Sequence, residues 1–411
     1  MKKKYLALCI GNLFHLGQFI KGNEFLIEKI CDNFEKIFLI NTDNLRFLKD
    51  KNNNYNNKDF SIDKKNSKLI TKNKKLKLPK NIKFFNPQNI KDFKNFMEDK
   101  NIIAINAFGR TFNDLKIHFL FKYFKIKQVQ ISNIGNLQTQ ITPIKKLVLK
   151  AWYHKVIHDW GHKVTVILSN IKLVRKIDIK FTSNKKQIAL LKRKNLFKKL
   201  NLFYCKEHIL VNSKSFDFIT STQPIVNKKK IILLDIMFNH QERIAMGSKP
   251  NKILIKDFYK KMNKLLNYLT KTYKKEVVVC IHPKDDLNKK KSIFKDYKVV
   301  KYASQENIFK AFLVFFFDTS AIVDAIILKK RIFVITSRAM DKNQISQAND
   351  YHKSVGIPKL DIDAKNILNK KIFSQKISVK NYSNYIKNYI EPDGKNLGYE
   401  KIIKTIKNRF F

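Results

Sequence analysis

The chain has 411 residues, 44% of them hydrophobic and 33 of them Phe, which is enough apolar material for two packed cores and excludes wholesale disorder. Its 84 Lys and Arg against 33 Asp and Glu leave a formal charge of +51, which points to a polyanion or an anionic membrane surface. Only eight of the basic residues are Arg; nucleic-acid readers rely on guanidinium forks and stacking, so nucleic acid is not expected as a partner.

The N-terminus reads MKKKYLALCIGNLFHLG. Its apolar run, Tyr5–Ile10, is too short for a signal peptide and no small-residue cleavage site follows, so residues 4–10 are expected as a buried first strand. Helical spacing follows from Leu13 to Ile30, and KIFLIN at 36–41 reads as a second strand. The stretch 48–80 is polar, Asn- and Lys-rich and aperiodic, and is expected as a loop or disordered insertion. A strand at 101–107, a helix at 111–124 and a strand at 127–132 continue a β-α-β alternation, the mark of a parallel sheet covered by helices. Residues 143–203 interleave Lys and Arg with Trp152, Trp160, Leu and Ile. That pattern suits an amphipathic segment on an anionic membrane, and equally a pair of exterior helices with Lys-rich outer faces. His154, His158 and His162 are spaced for zinc on a helix, but Gly161 interrupts it and no fourth ligand is near, so no metal is expected. HILVNS at 208–213 returns to strand.

A second alternating series begins near 229, after a polar boundary at 222–230 that contains Pro224 and Lys228–Lys230. Strands are expected at 229–235, 276–281, 297–300, 313–317 and 331–336, with helices at 256–274, 305–312 and 320–329. The fold class is therefore α/β, with two Rossmann-like, doubly wound domains: an N-terminal one at 1–222 and a C-terminal one at 229–380. The end of the chain, 381–411, is expected to be a helix packing back on the first domain. The four Cys at 9, 31, 205 and 280 are scattered and read as reduced structural thiols of a cytoplasmic protein. No apolar run reaches the about 20 residues that span a bilayer.

In open α/β sheets ligands bind beyond the C-terminal strand ends. The unusual polar residues of the second half fall there: Asp235, His282-Pro283 and Asp318-Thr319-Ser320. An Asp or Thr at 318–319 could merely cap a helix. That leaves the second hydroxyl unexplained, and also Asp324, four positions beyond Ser320. Free N–H groups with two hydroxyls make a phosphate cradle, and a carboxylate one turn on can accept from ribose hydroxyls. Phosphate plus ribose means a nucleotide, although the chain holds only 10 Gly and no Gly-rich phosphate loop.

These residues carry a resemblance. TSAIVDAIILKKRIFVI, from Thr319, resembles the Ser-Ser/acid-Ala/Lys-Pro block of bacterial GT-B glycosyltransferases that build capsules and other surface polysaccharides; Lys329-Lys330-Arg331 stands where Gly-Lys-Pro is usual. VVVCIHPK is similar to the strand-plus-His-Pro motif of bacterial sialyltransferases, polysialyltransferases and capsule synthesis proteins, and IILLDIMFNHQ to the strand-Asp opening of the same domain. The resemblance covers about 229–340. It implies a GT-B fold with two domains facing a cleft and a metal-independent glycosyltransferase with no cofactor beyond a CMP- or UDP-linked sugar donor. It also implies that Thr319 and Ser320 hold the donor phosphates, Asp324 the ribose, and His282 a phosphate or the leaving nucleotide. The acidic motif that sialyltransferases carry after an N-terminal strand is replaced by Ser132 and Asn133 in ISNIGN. By analogy His15 is the candidate base, with Asp217 behind it. The expected partners are the nucleotide-sugar donor, a glycan or glycolipid acceptor and an anionic membrane, on whose inner face the protein would sit as a peripheral enzyme. Rival readings are a CDP-linked polyol-phosphate transferase of the teichoic type and a non-catalytic polyanion-binding scaffold.

Overall fold

The computed structural model describes residues 4–10, 23–45, 60–63, 68–71, 82–98, 100–106, 114–132, 164, 167–169, 171–192, 205–239, 249–375, 377–394 and 396–411. The chain divides into two compact units, the first drawn from Met1–Asn133, Val156–Lys214 and Asp393–Phe411, the second containing Ser215–Pro392.

Unit 1 is built, in chain order, from β1 (Lys4–Ile10), α1 (Glu24–Asn33), β2 (Ile37–Asn41), β3 (Phe60–Asp63), β4 (Lys68–Thr71), β5 (Ile82–Phe85), α2 (Ile90–Glu98), β6 (Asn101–Asn106), α3 (Leu115–Tyr123), β7 (Lys127–Ser132), β8 (Ile177–Thr182), α4 (Lys185–Lys192) and β9 (Cys205–Leu210). Seven strands form one sheet in the order β5-β2-β1-β6-β7-β8-β9, every pairing parallel. Parallel strands are covered on both faces, which is why Leu6–Cys9 and Ile37–Ile40 are apolar and buried without alternation.

Three stretches differ from the sequence reading. Within 48–80, expected as loop, β3 and β4 pair as an antiparallel ribbon with Ile62 opposite Leu69. Within 143–203, expected as amphipathic, β8 is a buried strand. Its sequence IDIKFT hides this because Asp178 is charged, yet Asp178 is buried against Arg175 (3.4 Å), Lys206 (2.6 Å) and the Gln128 N–H (2.9 Å). The strand read at 208–213 runs three residues earlier, as β9. Trp152, Trp160 and the three spaced histidines lie outside the described residues.

Unit 2 opens with α5 (Lys214–Thr222) and continues as β10 (Lys230–Leu234), α6 (Lys252–Tyr273), β11 (Glu276–Ile281), α7 (Leu287–Ile293), β12 (Lys298–Lys301), α8 (Ser304–Phe309), β13 (Ala311–Phe316), α9 (Ile322–Ile327), β14 (Arg331–Thr336), α10 (Lys342–Val355), β15 (Lys359–Asp361), α11 (Lys370–Phe373) and α12 (Val379–Tyr385). Its six strands run β12-β11-β10-β13-β14-β15, all parallel. α6 covers one face with Phe258, Met262, Leu265, Leu266 and Leu269, a 3.6-period stripe whose members are at most 1% exposed. Each such side chain contributes about 1.5–3 kcal/mol by leaving water. Asn251 caps α6 by accepting from the Ile253 and Leu254 N–H groups. α10 starts in a reciprocal cap between Asp341 and Gln344 and stops at Gly356, whose φ of 70° and contact with Asn381 leave no room for a Cβ.

The last helix, α13 (Gly398–Phe410), belongs to unit 1. Tyr399 packs edge-on against Phe25 and Phe411 against Phe34, while Lys407 donates to Asn33.

Candidate functional site

The strand order of unit 2 sets the site. β11 and β12 are laid down on one side of β10, and the chain then crosses to place β13 on the other. The crevice beyond the C-terminal ends of β10 and β13 is the switch point where such sheets take ligands. Because all six strands are parallel, every residue just past a strand lies on this edge. His282 and Pro283 follow β11, Asp235 follows β10, Asp318, Thr319 and Ser320 follow β13, and Ser337 and Arg338 follow β14. The topology thus gathers all the candidate residues of the second half on one edge.

The turn after β11 is held rigidly. The Asp285 N–H donates to the His282 carbonyl (2.9 Å), and Asp286 caps α7 through the Asn288 and Lys289 N–H groups. The Lys284 N–H donates to His282 Nδ1 (3.1 Å). A ring nitrogen that accepts carries no proton, so in the neutral imidazole the proton sits on Nε2. His282 is partly exposed. Its ring is therefore set up as a donor through Nε2.

Asp235 is placed differently. Its side chain is wholly buried, and Lys290 Nζ sits 2.5 Å from its Oδ2. The same ammonium lies 3.1 Å from Asp285, donates to the Ile236 carbonyl (3.2 Å) and donates to the Tyr259 hydroxyl. Burial alone would lower the Lys290 pKa; the surrounding Asp235, Tyr259 and Asp285 outweigh it and raise it, so the lysine stays charged. One ammonium thereby ties the end of β10, the His282 turn and α6 together. Asp235 is turned inward to this lysine.

Past β13 the chain makes a tight turn: the Ile322 N–H reaches the Thr319 carbonyl (3.4 Å) and the Val323 N–H the Ser320 carbonyl (3.2 Å). Thr319 Oγ1 accepts from the Ala321 N–H (3.3 Å). The helix expected at 320–329 is the six-residue α9, whose N-cap position is Ala321, a residue with no side-chain acceptor. Ser320 is exposed, whereas Asp324, in the first turn, is only 5% exposed. The two do not present to solvent alike.

Sequence reasoning missed a second hub on the same edge. Asp363, two residues past β15, accepts from Ser337 Oγ (3.0 Å), the Arg338 N–H (2.7 Å) and Lys261 Nζ (2.7 Å). Partial burial pushes its carboxyl up, and the hydrogen bonds from Lys261, the Arg338 amide and Ser337 outweigh that and hold it below the usual range. The signal available was the hydroxyl-Arg pair Ser337-Arg338 directly after a strand. His15 and Asn133 lie outside the described residues. Asp217 is buried, 2% exposed, in α5.

The structure was compared with solved ones. The wall teichoic acid polymerase TagF superposes with a TM-score of 0.52 over 100% of this chain and 89% of its own, at 10% identity. A protein assigned as UDP-N-acetylglucosamine 2-epimerase, from Listeria monocytogenes, superposes with a TM-score of 0.50 over 100% of this chain and 97% of its own, at 11% identity. The fold is GT-B. At such identity the likeness extends to the fold and no further. No protein-family model matches the sequence, and no curated protein matches it. In this GT-B chain the edge of unit 2 described above is where the α/β architecture takes a ligand. Among the described residues no helix is long and apolar enough to cross a membrane.

Proposed function

We propose that the protein is a GT-B glycosyltransferase that moves a sugar from a nucleotide-sugar donor to a surface polysaccharide or lipooligosaccharide acceptor, working as a peripheral enzyme on the inner face of the cytoplasmic membrane. The observation that supports this reading is the edge of unit 2, where His282 follows β11 and Thr319 and Ser320 follow β13, the strands on either side of β10 at the switch point of a parallel sheet. In the transfer, the bond between the anomeric carbon and the phosphate oxygen breaks, and the nucleotide leaves with the negative charge. His282 Nε2–H donates to that phosphate, which lowers the barrier without needing a metal. Thr319 and Ser320 hold the donor phosphates through their hydroxyls. Asp324, in the first turn of α9, accepts a hydrogen bond from a ribose hydroxyl. The acceptor hydroxyl gives up its proton to a base in the N-terminal half, for which His15 is the candidate. Asp235 and Pro283 act by fixing the His282 turn.

A second reading, transfer of a polyol phosphate from a CDP-linked donor, uses the same edge. The His-Pro and Asp-Thr-Ser elements are common to both readings, the teichoic enzymes place their second carboxylate one residue farther on than Asp324, and the shared fold does not separate the two. A thermal-shift screen against CMP, CDP, UDP, GDP and ADP decides between them, because a ligand of the native state alone raises the melting point by mass action. A rise with UDP, lost in Ser320→Ala and Asp324→Ala, supports sugar transfer; a rise with CMP fits both readings, because a CDP-linked polyol donor also releases CMP, and is resolved by adding CDP-glycerol, which raises the melting point only under the polyol reading. No rise with any nucleotide sinks both.

A further inference from the structure

The N-terminal edge of the unit 1 sheet carries side chains that the transferase reading does not use. Four large apolar groups stand in solvent there: Tyr123 at 71% exposed, Ile167 at 54%, Ile171 at 59% and Leu173 at 47%. Tyr123 ends α3, just before β7; the other three precede β8. β7, β8 and β9 are neighbours, with Val129 opposite Ile179 and Ile177 opposite Cys205, so these segments share one edge. Exposed lysines surround them: Lys122, Lys125 and Lys127 beside Tyr123, and Lys172 between Ile171 and Leu173. Lys125 and Lys172 both take left-handed backbone (φ 53° and 62°), which makes tight turns at the tips. Among the described residues of 115–132, 167–180 and 205–210 the only acids are Asp178 and Glu207. Asp178 is bound by Arg175 and Lys206, and Glu207 faces Arg409.

We infer that this edge of unit 1 docks on an anionic lipid bilayer, with Ile167, Ile171 and Leu173 entering the interface, Tyr123 at the headgroup level and the lysines on the headgroups. Aliphatic tips ringed by lysine match that surface in both apolarity and charge. A nucleic-acid groove offers nothing to three aliphatic side chains, and its readers favour Arg. Strands of about six residues keep the two ends of the sheet roughly 20 Å apart. The bilayer therefore meets the edge away from the C-terminal strand ends of the same sheet, and those ends remain open to water-borne ligands.

The test is sedimentation of the full chain with phosphatidylcholine vesicles and with vesicles containing about one-third phosphatidylglycerol. The wild type should pellet with the anionic vesicles only. Paired Ile171→Ser and Leu173→Ser should weaken that binding at least about tenfold, as should paired Lys125→Glu and Lys172→Glu. In a Leu173→Cys variant, a polarity-sensitive dye at that position should shift to the blue on anionic vesicles, which tests insertion without disturbing the fold. Wild-type-like pelleting of both paired variants, an unshifted dye, or binding of a short DNA duplex in place of vesicles would each overturn the inference. Donor binding plays no part in these readouts, so the transferase reading can fail without affecting them.

Discussion

The His282 ring accepts a backbone N–H at Nδ1, and the buried Lys290 braces the turn that carries it. With Nδ1 accepting from Lys284, the ring can offer Nε2–H to an anion without losing time to tautomer exchange. His282→Ala should therefore lower kcat by about a hundredfold or more while leaving the melting point unchanged, which is the range seen when one donor to a developing oxyanion is removed. A change in KM alone would assign the residue to binding and remove it from the chemistry. The lysine behind it behaves differently. Lys290→Met leaves Asp235 buried and unpaired, and should cost about 3–5 kcal/mol in denaturant unfolding. Replacing both, Lys290→Met with Asp235→Leu, removes the stranded charge and should recover most of that loss. Equal losses in the single and double variants would mean that the pair contributes through packing alone. His-Pro was legible from the sequence because it stands directly after an apolar strand. Lys290 was not: it lies inside KKKS, one of many lysine runs, and only the fold reveals that this one points inward.

Among elements, those with continuous apolar runs were legible: β1, β11, β13 and β14 fall within about two residues of where the sequence puts them. The elements that escaped are those whose charges are buried. β8 reads as another basic amphipathic stretch because Asp178 and Lys180 interrupt it; Arg175 just before the strand, Lys206 on β9 and the Gln128 N–H on β7 make the burial of Asp178 tolerable. Lys330 is a second case. It sits 4% exposed before β14, and its ammonium donates to the carbonyls of Asn227 (3.0 Å), Phe309 (2.8 Å) and Ala311 (2.9 Å), joining the starts of three strand segments. The sequence aligned it with a motif lysine; the structure puts it at the edge away from the switch point, as a strut. Burial, with the charge of Lys228 added, pushes its pKa down from 10.5 to about 8. The sign follows. Between about pH 8 and 10.5 the unfolded chain holds this proton and the folded chain has released it, so this group stabilises the fold increasingly as pH rises through that window. Measured against Lys330→Met, which removes the titration, wild-type stability should climb between pH 8 and 10.5, by up to about 3 kcal/mol. A flat difference across that range would show that the three carbonyls keep the lysine charged.

For the whole molecule the governing quantity is charge. With 33 acids for 84 Lys and Arg, most of the cations have no acid available to them whatever the fold does. Short ion pairs at Asp178, Asp235 and Asp363 join one element to another. Exposed pairs such as Lys94–Glu98 at 3.7 Å contribute little. The remainder is self-repulsion, which opposes compactness and which salt screens over a Debye length of about 10 Å at 0.1 M. Two effects of salt then compete: it weakens the few exposed pairs and relieves the much larger excess of like charge. The Lys290–Asp235 pair is buried on both sides and is screened little, whereas at Asp178 the partner Lys206 is 54% exposed. Relief should win, and the melting point should rise steadily as NaCl goes from low to moderate ionic strength, at fixed pH and in the absence of any polyanion. Sodium sulfate would mix this effect with exclusion from the surface, so chloride is the salt to use. A melting point that falls over this range would mean that ion pairs hold the fold together, and the positive surface would then be a structural network instead of a face kept for anionic partners.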